Sequence, residues 1–251
     1  MSELRALLLT DVVDSTRIAE VIGDAANTAH WIAHDRAARQ LLRTWRGREI
    51  ERTDGLMAVF ESAADAAAFA IDYHRALAAL SLPFKARAGL HVGPVRLRES
   101  STADVAVGAK RFEVDGLAIP IAARVMATAQ GGQTLITGDA RSALATTSLR
   151  VQSHGFWRLK GLQEPMELFE IGDVDAPFTP PPDADKAYRV VRHDDLWLPA
   201  RSVRNNLPAE RDAFVGRAAD LRALSQRFDE GARLVTLLGP VREVIGMSSR
   251  S

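Results

Sequence analysis

Apolar positions along the chain fall into two periods, one typical of strands and one of helices. Residues 4–9 form a short apolar run that stops at Thr10-Asp11, as a buried strand would. Ser15 and Thr16 have the chemistry of helix N-caps, and a helical pattern follows to Ile22 before Gly23-Asp24 breaks it. A longer helical pattern over about 26–45 carries Trp31, Ile32, Leu41 and Leu42 on one side and stops at Gly47. Residues 49–52 alternate charged and apolar, residues 56–60 are apolar, and Thr53-Asp54-Gly55 between them predicts a tight hairpin. Residues 62–80 are Ala-rich and helical, and residues 84–91 and 94–97 read as a hairpin turning at Val92-Gly93. A helix over 117–129, a strand over 133–137, a short helix over 139–144 and strands over 151–154, 156–159 and 166–171 complete the pattern. Strands and helices mixed in this order predict an α/β sandwich around one sheet.

The pattern then changes. Residues 173–185 are acidic and Pro-rich, which suits an extended linker, and residues 186–209 read as irregular. A partly helical stretch over 211–228 and a short apolar strand over 234–238 follow. The expected organisation is a domain over 1–173, a linker over 174–209 and a second, short module over 210–251.

Composition narrows the function. Hydrophobic residues make up 47 % of the chain, enough for an ordinary core. The 32 basic and 32 acidic residues cancel, so no electrostatic footprint for nucleic acid or an acidic membrane is present. The absence of cysteine excludes disulfides, thiolate catalysis and cysteine-bound zinc. No apolar run reaches the roughly 20 residues of a membrane span, and the N-terminal apolar stretch meets an acid too soon for a signal peptide. The cytoplasm is the expected location. Arginine far outnumbers lysine, whose four copies stand at 85, 110, 160 and 186.

Two acids stand at strand ends: Asp11 after the first apolar run and Asp54 at the tip of the predicted hairpin. Neighbouring strands can bring both to one sheet edge, where paired carboxylates bind two Mg²⁺ ions roughly 3.5–4 Å apart for phosphoryl chemistry. The plain alternative makes Asp11 a cap and Asp54 the acid of an Asp-Gly turn. Asp11-Val12-Val13-Asp14-Ser15-Thr16 also sets the N–H groups of a helix start beside the first acid, a ready phosphate site.

That segment resembles the metal-binding opening of class III adenylyl and guanylyl cyclases, and residues 52–60 (RTDGLMAVF) resemble their second metal hairpin. Residues 89–95 (GLHVGPV) resemble the central hairpin of the family, and residues 119–124 (IPIAAR) the helix with its transition-state arginine. GGQTLIT at 131–137 and Leu159-Lys160-Gly161 follow in the family's order, so the resemblance spans about residues 4–171. It implies a ferredoxin-like α/β sandwich and a purine nucleoside triphosphate, ATP or GTP, cyclised to the 3′,5′-cyclic nucleotide with release of pyrophosphate. It also implies two Mg²⁺ or Mn²⁺ ions per site on Asp11 and Asp54, with the Val12 carbonyl assisting. Ser15 and Thr16 would lie against the phosphates, Arg124 would neutralise the α-phosphate and Lys160 would reach the outer phosphates. The functional unit would be a homodimer sharing two sites, each with metal acids from one subunit and arginine and base pocket from the other.

Three positions depart from the family. Pro120 stands where an Asn usually orients the ribose, and the metal hairpin is one residue shorter. Counted from Gly47, the base-reading position is Glu51, which can accept from guanine N1–H and N2–H; counted back from Asp54, it is Ile50. Glu113 takes the second base position. The plain alternative makes Glu51 and Glu113 solvent-facing acids. Two functions therefore fit: an active cyclase, or a catalytically inactive homology domain that binds metal-nucleotide and dimerises. Residues 212–217 (DAFVGR) and the strand running into Gly239 resemble the entry to a STAND-type regulatory ATPase. Gly239-Pro240-Val241-Arg242 lacks the lysine of a phosphate loop, so a truncated module is expected.

Overall fold

The computed structural model describes residues 2–81, 84–144, 149–200, 218–238 and 244–248. It comprises two compact units, one of residues 1–191 with 199–201, the other of residues 192–198 with 202–251.

The first half of the chain forms β1 (Glu3–Val12), α1 (Ser15–Ile22), α2 (Asp24–Thr44), β2 (Arg48–Arg52), β3 (Gly55–Phe60), α3 (Ala63–Ala78) and β4 (Ala86–Glu99). There follow α4 (Thr102–Ala106), β5 (Phe112–Asp115), α5 (Ala118–Thr128), β6 (Thr134–Thr137), α6 (Gly138–Ala143), β7 (Arg150–Leu159) and β8 (Met166–Gly172). Beyond these lie β9 (Ala187–His193), β10 (Leu196–Pro199), α7 (Ala218–Asp229), β11 (Leu234–Leu238) and β12 (Val244–Ser248).

The main sheet runs β9-β7-β8-β6-β4-β1-β3-β2. Its centre, β4-β1-β3-β2, has β1 antiparallel to both β3 and β4, which is the ferredoxin-like order. Alternation along β1 explains how both faces are covered. Ala6 and Leu8 pack with Phe69, Tyr73 and Leu77 of α3, while Leu7 packs with Ala118 and Ala122 of α5. Phe60, Phe69 and Tyr73 form a run of ring contacts inside the larger core. A second core gathers Val125, Leu135, Trp157, Leu159 and Leu168 where α5 meets β6–β8.

Four expectations change. Ser15 and Thr16 are not caps: the cap position is Asp14, in the left-handed region at φ 58°, and no side chain caps the helix. Residues 84–97 are not a hairpin, because β4 is one continuous strand of 14 residues. Gly93 serves close packing rather than a turn: a Cβ there would lie 2.8 Å from His91 Nε2 and 3.0 Å from the Ala118 Cβ of α5. Residues 151–159 form one strand, not two, with a register shift between Ser153 and Phe156 and Gly155 at φ 77°. The stretch read as irregular holds β9 and β10, and β9 pairs with β7 from Ala187↔Leu159 to Val190↔Phe156.

In the second unit α7 and β11 fall where expected, and β11 pairs antiparallel with β12. The motif residues 212–217 and 239–242 lie outside the described residues.

Candidate functional site

The two acids meet because β1 and the β2–β3 hairpin cross closely. Asp11 registers opposite Gly55, and the Val12 N–H donates to the Asp54 carbonyl at 3.0 Å. Gly55 is required there: a Cβ would lie 1.8 Å from the Thr10 carbonyl oxygen. The Leu56 N–H donates to Thr10 Oγ1 at 3.1 Å, and the Val13 N–H to the Lys85 carbonyl at 2.8 Å, tying the strand end on both sides.

Asp11, Val12, Ser15, Thr16 and Asp54 line one cavity of about 570 Å³, which Arg87 also lines. The donors offered by this wall are oxygens, the chemistry that hard divalent cations prefer. Among the described residues no three His, Cys, Asp or Glu side chains cluster as a metal site. Two carboxylates fit Mg²⁺ or Mn²⁺ only if other ligands come from phosphates and water, the usual pattern for nucleotide-bound metal.

Arg87, which the sequence reading missed, sits opposite Asp11 on β4. Its Nη2 and Nε lie 2.6 and 2.7 Å from Asp11 Oδ2. Beneath the hairpin, Arg52 bridges Glu49 and Asp35, and His34 Nε2 lies 2.7 Å from the Tyr73 hydroxyl. Burial lowers the His34 pKa and pushes that of Tyr73 up to about 12, so this polar floor favours neutral rings.

Arg124 lines a separate cavity of about 470 Å³ together with Arg87, Thr128, Gln130 and Lys186. It is placed there by the tight seat of α5 on β4, where a Cβ at Gly89 would come within 2.2 Å of the Met126 nitrogen. Pro120 sits in the first turn of α5, where a missing N–H is tolerated. Lys160 lies at the end of β7, where its N–H donates to the Lys186 carbonyl at 2.8 Å.

The base-position acids lie in neither cavity. A register shift between Glu49 and Glu51 leaves Ile50 buried and Glu51 exposed, with Lys110 Nζ 2.7 Å from Glu51 Oε1. Glu113 is ion-paired with Arg98 across β4 and β5. The chain thus unites Asp11, Val12, Ser15, Thr16 and Asp54 at one place and sets Arg124 at another, with Arg87 lining both cavities.

No family model matches the chain. Its fold matches solved cyclase catalytic domains. An adenylate cyclase from Trypanosoma brucei in its monomeric state aligns with TM-score 0.63 at 19 % identity, over 71 % of this chain and 92 % of that one. The adenylyl cyclase CyaB from P. aeruginosa aligns with TM-score 0.61 at 15 % identity, over 70 % and 96 %. The guanylate cyclase domain of RhGC from Catenaria anguillulae, solved with GTP, aligns with TM-score 0.60 at 16 % identity, over 67 % and 96 %. The fold is therefore that of a class III nucleotidyl cyclase catalytic domain.

In sequence, the chain is 30 % identical over 222 residues to the uncharacterized proteins Rv0891c of Mycobacterium tuberculosis (strain ATCC 25618 / H37Rv) and Mb0915c of Mycobacterium bovis. Each match covers 86 % of this chain and 67 % of the relative. The chain belongs to the same family as these mycobacterial proteins.

Proposed function

We propose that this protein is a nucleotidyl cyclase converting a purine nucleoside triphosphate to its 3′,5′-cyclic nucleotide. The observation that carries this reading is the meeting of Asp11 and Asp54 on one cavity wall of a class III cyclase fold. The substrate's 3′-oxygen forms the new bond to the α-phosphorus, the bond to the β-phosphate oxygen breaks, the hydroxyl proton is lost and pyrophosphate leaves. Two Mg²⁺ or Mn²⁺ ions, when bound, would supply Lewis-acid activation of the hydroxyl and the phosphates. Asp11 and Asp54 hold that charge at the strand ends, with the Val12 carbonyl as a further oxygen donor, while Ser15 and Thr16 border the phosphates. Arg124 neutralises charge on the α-phosphate as it builds up, and Lys160 holds the outer phosphates.

Within one chain Arg124 and the acids line different cavities, which supports a homodimer with the acids of one subunit facing the arginine of the other. Leu117, 81 % exposed at the start of the Arg124 helix, suits such a contact. Glu51 beside Lys110 supports guanine as the base: the carboxylate accepts from N1–H and N2–H, and the ammonium donates to O6. Glu113, the candidate for the second base position, is held by Arg98. We place this activity in the cytoplasm; no helix among the described residues is long and apolar enough to cross a membrane. Residues 210–251 are read, on sequence resemblance alone, as the start of a STAND-type ATPase module that follows a linker at 174–209.

The test is mass spectrometry of product from the full chain with Mn²⁺ and either ATP or GTP, with Asp54→Ala as control. Cyclic GMP in excess of cyclic AMP, abolished in Asp54→Ala, is the expected result. No product from either triphosphate, with nucleotide binding intact, would instead leave a dimerising homology domain, a reading that Pro120 in place of the ribose-orienting Asn favours.

A further inference from the structure

The segment after β8 is anchored to the sheet rather than free of it. Gln133 Nε2 donates to the Thr179 carbonyl at 2.6 Å, and Arg150 Nη1 donates to the Ala176 carbonyl at 3.0 Å. Phe178 lies under the Arg150 guanidinium, 4.6 Å from ring to cation, and packs so closely on Gly172 that a Cβ there would lie 2.7 Å from its ring. The Arg189 N–H donates to Asp183 Oδ1 at 2.8 Å, and the backbones of Ala184 and Ala187 bond to each other in both directions. These contacts fix the backbone on both sides of Lys186.

Lys186 and Asp185 reach the wall of the Arg124 cavity as part of this strap. Arg124 and Lys186 are exposed, and among the described residues neither side chain has an ion pair or hydrogen bond. The same holds for the side chain of Lys160. Lys160 and Lys186 stand opposite each other one step beyond the Leu159↔Ala187 pair. Like charges directly opposite on paired strands repel, weakly here because both side chains are exposed to water, and an anion relieves that repulsion. The cavity wall thus offers two unpaired cations against the one acid Asp185, and Lys160 adds a third cation at its margin.

We propose that Lys186 is a substrate-binding residue: with Lys160 it takes the β- and γ-phosphates of the nucleotide, beside Arg124 on the α-phosphate, so that the strap is part of the binding site. The ligand class is a linear polyphosphate, free or as the tail of a nucleoside triphosphate. Which phosphates are bound rests on the cyclase reading above, but the anion site itself does not.

The experiment is calorimetric titration of inorganic triphosphate into the full chain, its Lys186→Ala and Lys186→Arg variants, together with steady-state kinetics on GTP and ATP. The Lys186 side chain is exposed and its backbone bond to Lys160 survives substitution, so melting temperatures should match. In Lys186→Ala, triphosphate affinity should fall about 10-fold, the loss of one charge-assisted hydrogen bond, and Lys186→Arg should recover most of it. KM should rise by a similar factor with kcat nearly kept, as expected for binding shared by ground and transition states. Equal triphosphate affinity in parent and Lys186→Ala, or no binding by the parent, overturns the proposal. Product formed equally well by both sinks Lys186 and leaves the cyclase; weakened triphosphate binding in a chain that makes no product sinks the cyclase and leaves the anion site.

Discussion

The Asp11 end and the Arg124 end of the sheet satisfy their charges in opposite ways. At the first, Asp11 is paired with Arg87, the hairpin is tied to β1 by backbone bonds, and the polar groups below are linked from Glu49 through Arg52 to Asp35. At the second, Arg124, Lys160 and Lys186 have no acidic partner among the described residues. Unpaired exposed cations cost little in water, so stability does not demand this arrangement and does not explain it. It leaves donors with no competing bond, whereas Asp11 at the acid end already holds an internal ion pair. On the proposed function, one end exchanges partners and the other acquires one.

The largest expected effect comes from removing the acquiring end. Arg124→Ala should lower kcat by roughly 10²–10³-fold with KM nearly unchanged, the pattern of a donor used in the transition state. Arg124→Lys should recover little, because a point ammonium lacks the planar fork. Single-turnover measurement of cyclic nucleotide checks both. An Arg124→Ala enzyme with parental kcat would reduce this residue to a solvated helix arginine and remove the contrast.

A smaller effect concerns three histidines, His34 on α2, His74 on α3 and His91 on β4. Burial lowers the His74 pKa to about 4 from its usual 6.5, and burial lowers those of His34 and His91 as well. Each fold thereby favours the neutral ring. The His74 contribution is complete above about pH 6.5 and is lost as pH falls toward 4, up to about 3 kcal/mol. Urea midpoints should therefore drop between pH 7 and pH 4.5, and His74→Gln should remove about one proton from the uptake on unfolding. A flat profile over that window would show that these rings accept protons in the folded state as readily as in the unfolded chain.

The features legible in the sequence are those decided locally. The Asp-Gly turn, the Ala-rich α3 and the apolar β1 follow from turn chemistry and periodicity, and they brought Asp11 and Asp54 into view together. Features decided by a distant partner stayed hidden. Val92-Gly93 reads as a turn, yet Gly93 exists to admit Ala118 and His91, so β4 runs straight through. Residues 187–193 lack a clear strand pattern because the half that pairs with β7 borrows its order from that neighbour. The Ile50 irregularity, which decides that Glu51 and not Ile50 faces out, is a single-residue event with no composition of its own. Arg87 could have been suspected only by knowing that β4 lies beside β1 in a register that sets it against Asp11.

The smallest effect tests the exchange at the acid end. Arg87 holds Oδ2 of Asp11 and neutralises its charge, so the ion pair subtracts from the metal affinity of Asp11 in the parent. Arg87→Met keeps most of the side-chain bulk and removes the competitor. In the absence of metal the variant should lose about 1 kcal/mol, the worth of one partly exposed ion pair. With Mn²⁺ added it should recover more stability than the parent gains, since the binding free energy adds to folding and no internal bond is broken to obtain it. Thermal melts of both proteins over a MnCl₂ series, with Asp11→Asn as the reference that cannot respond, measure the difference. Equal Mn²⁺ shifts in parent and Arg87→Met would mean that Arg87 does not compete with the metal, and that the Asp11–Arg87 pair is a structural clasp rather than an exchangeable one.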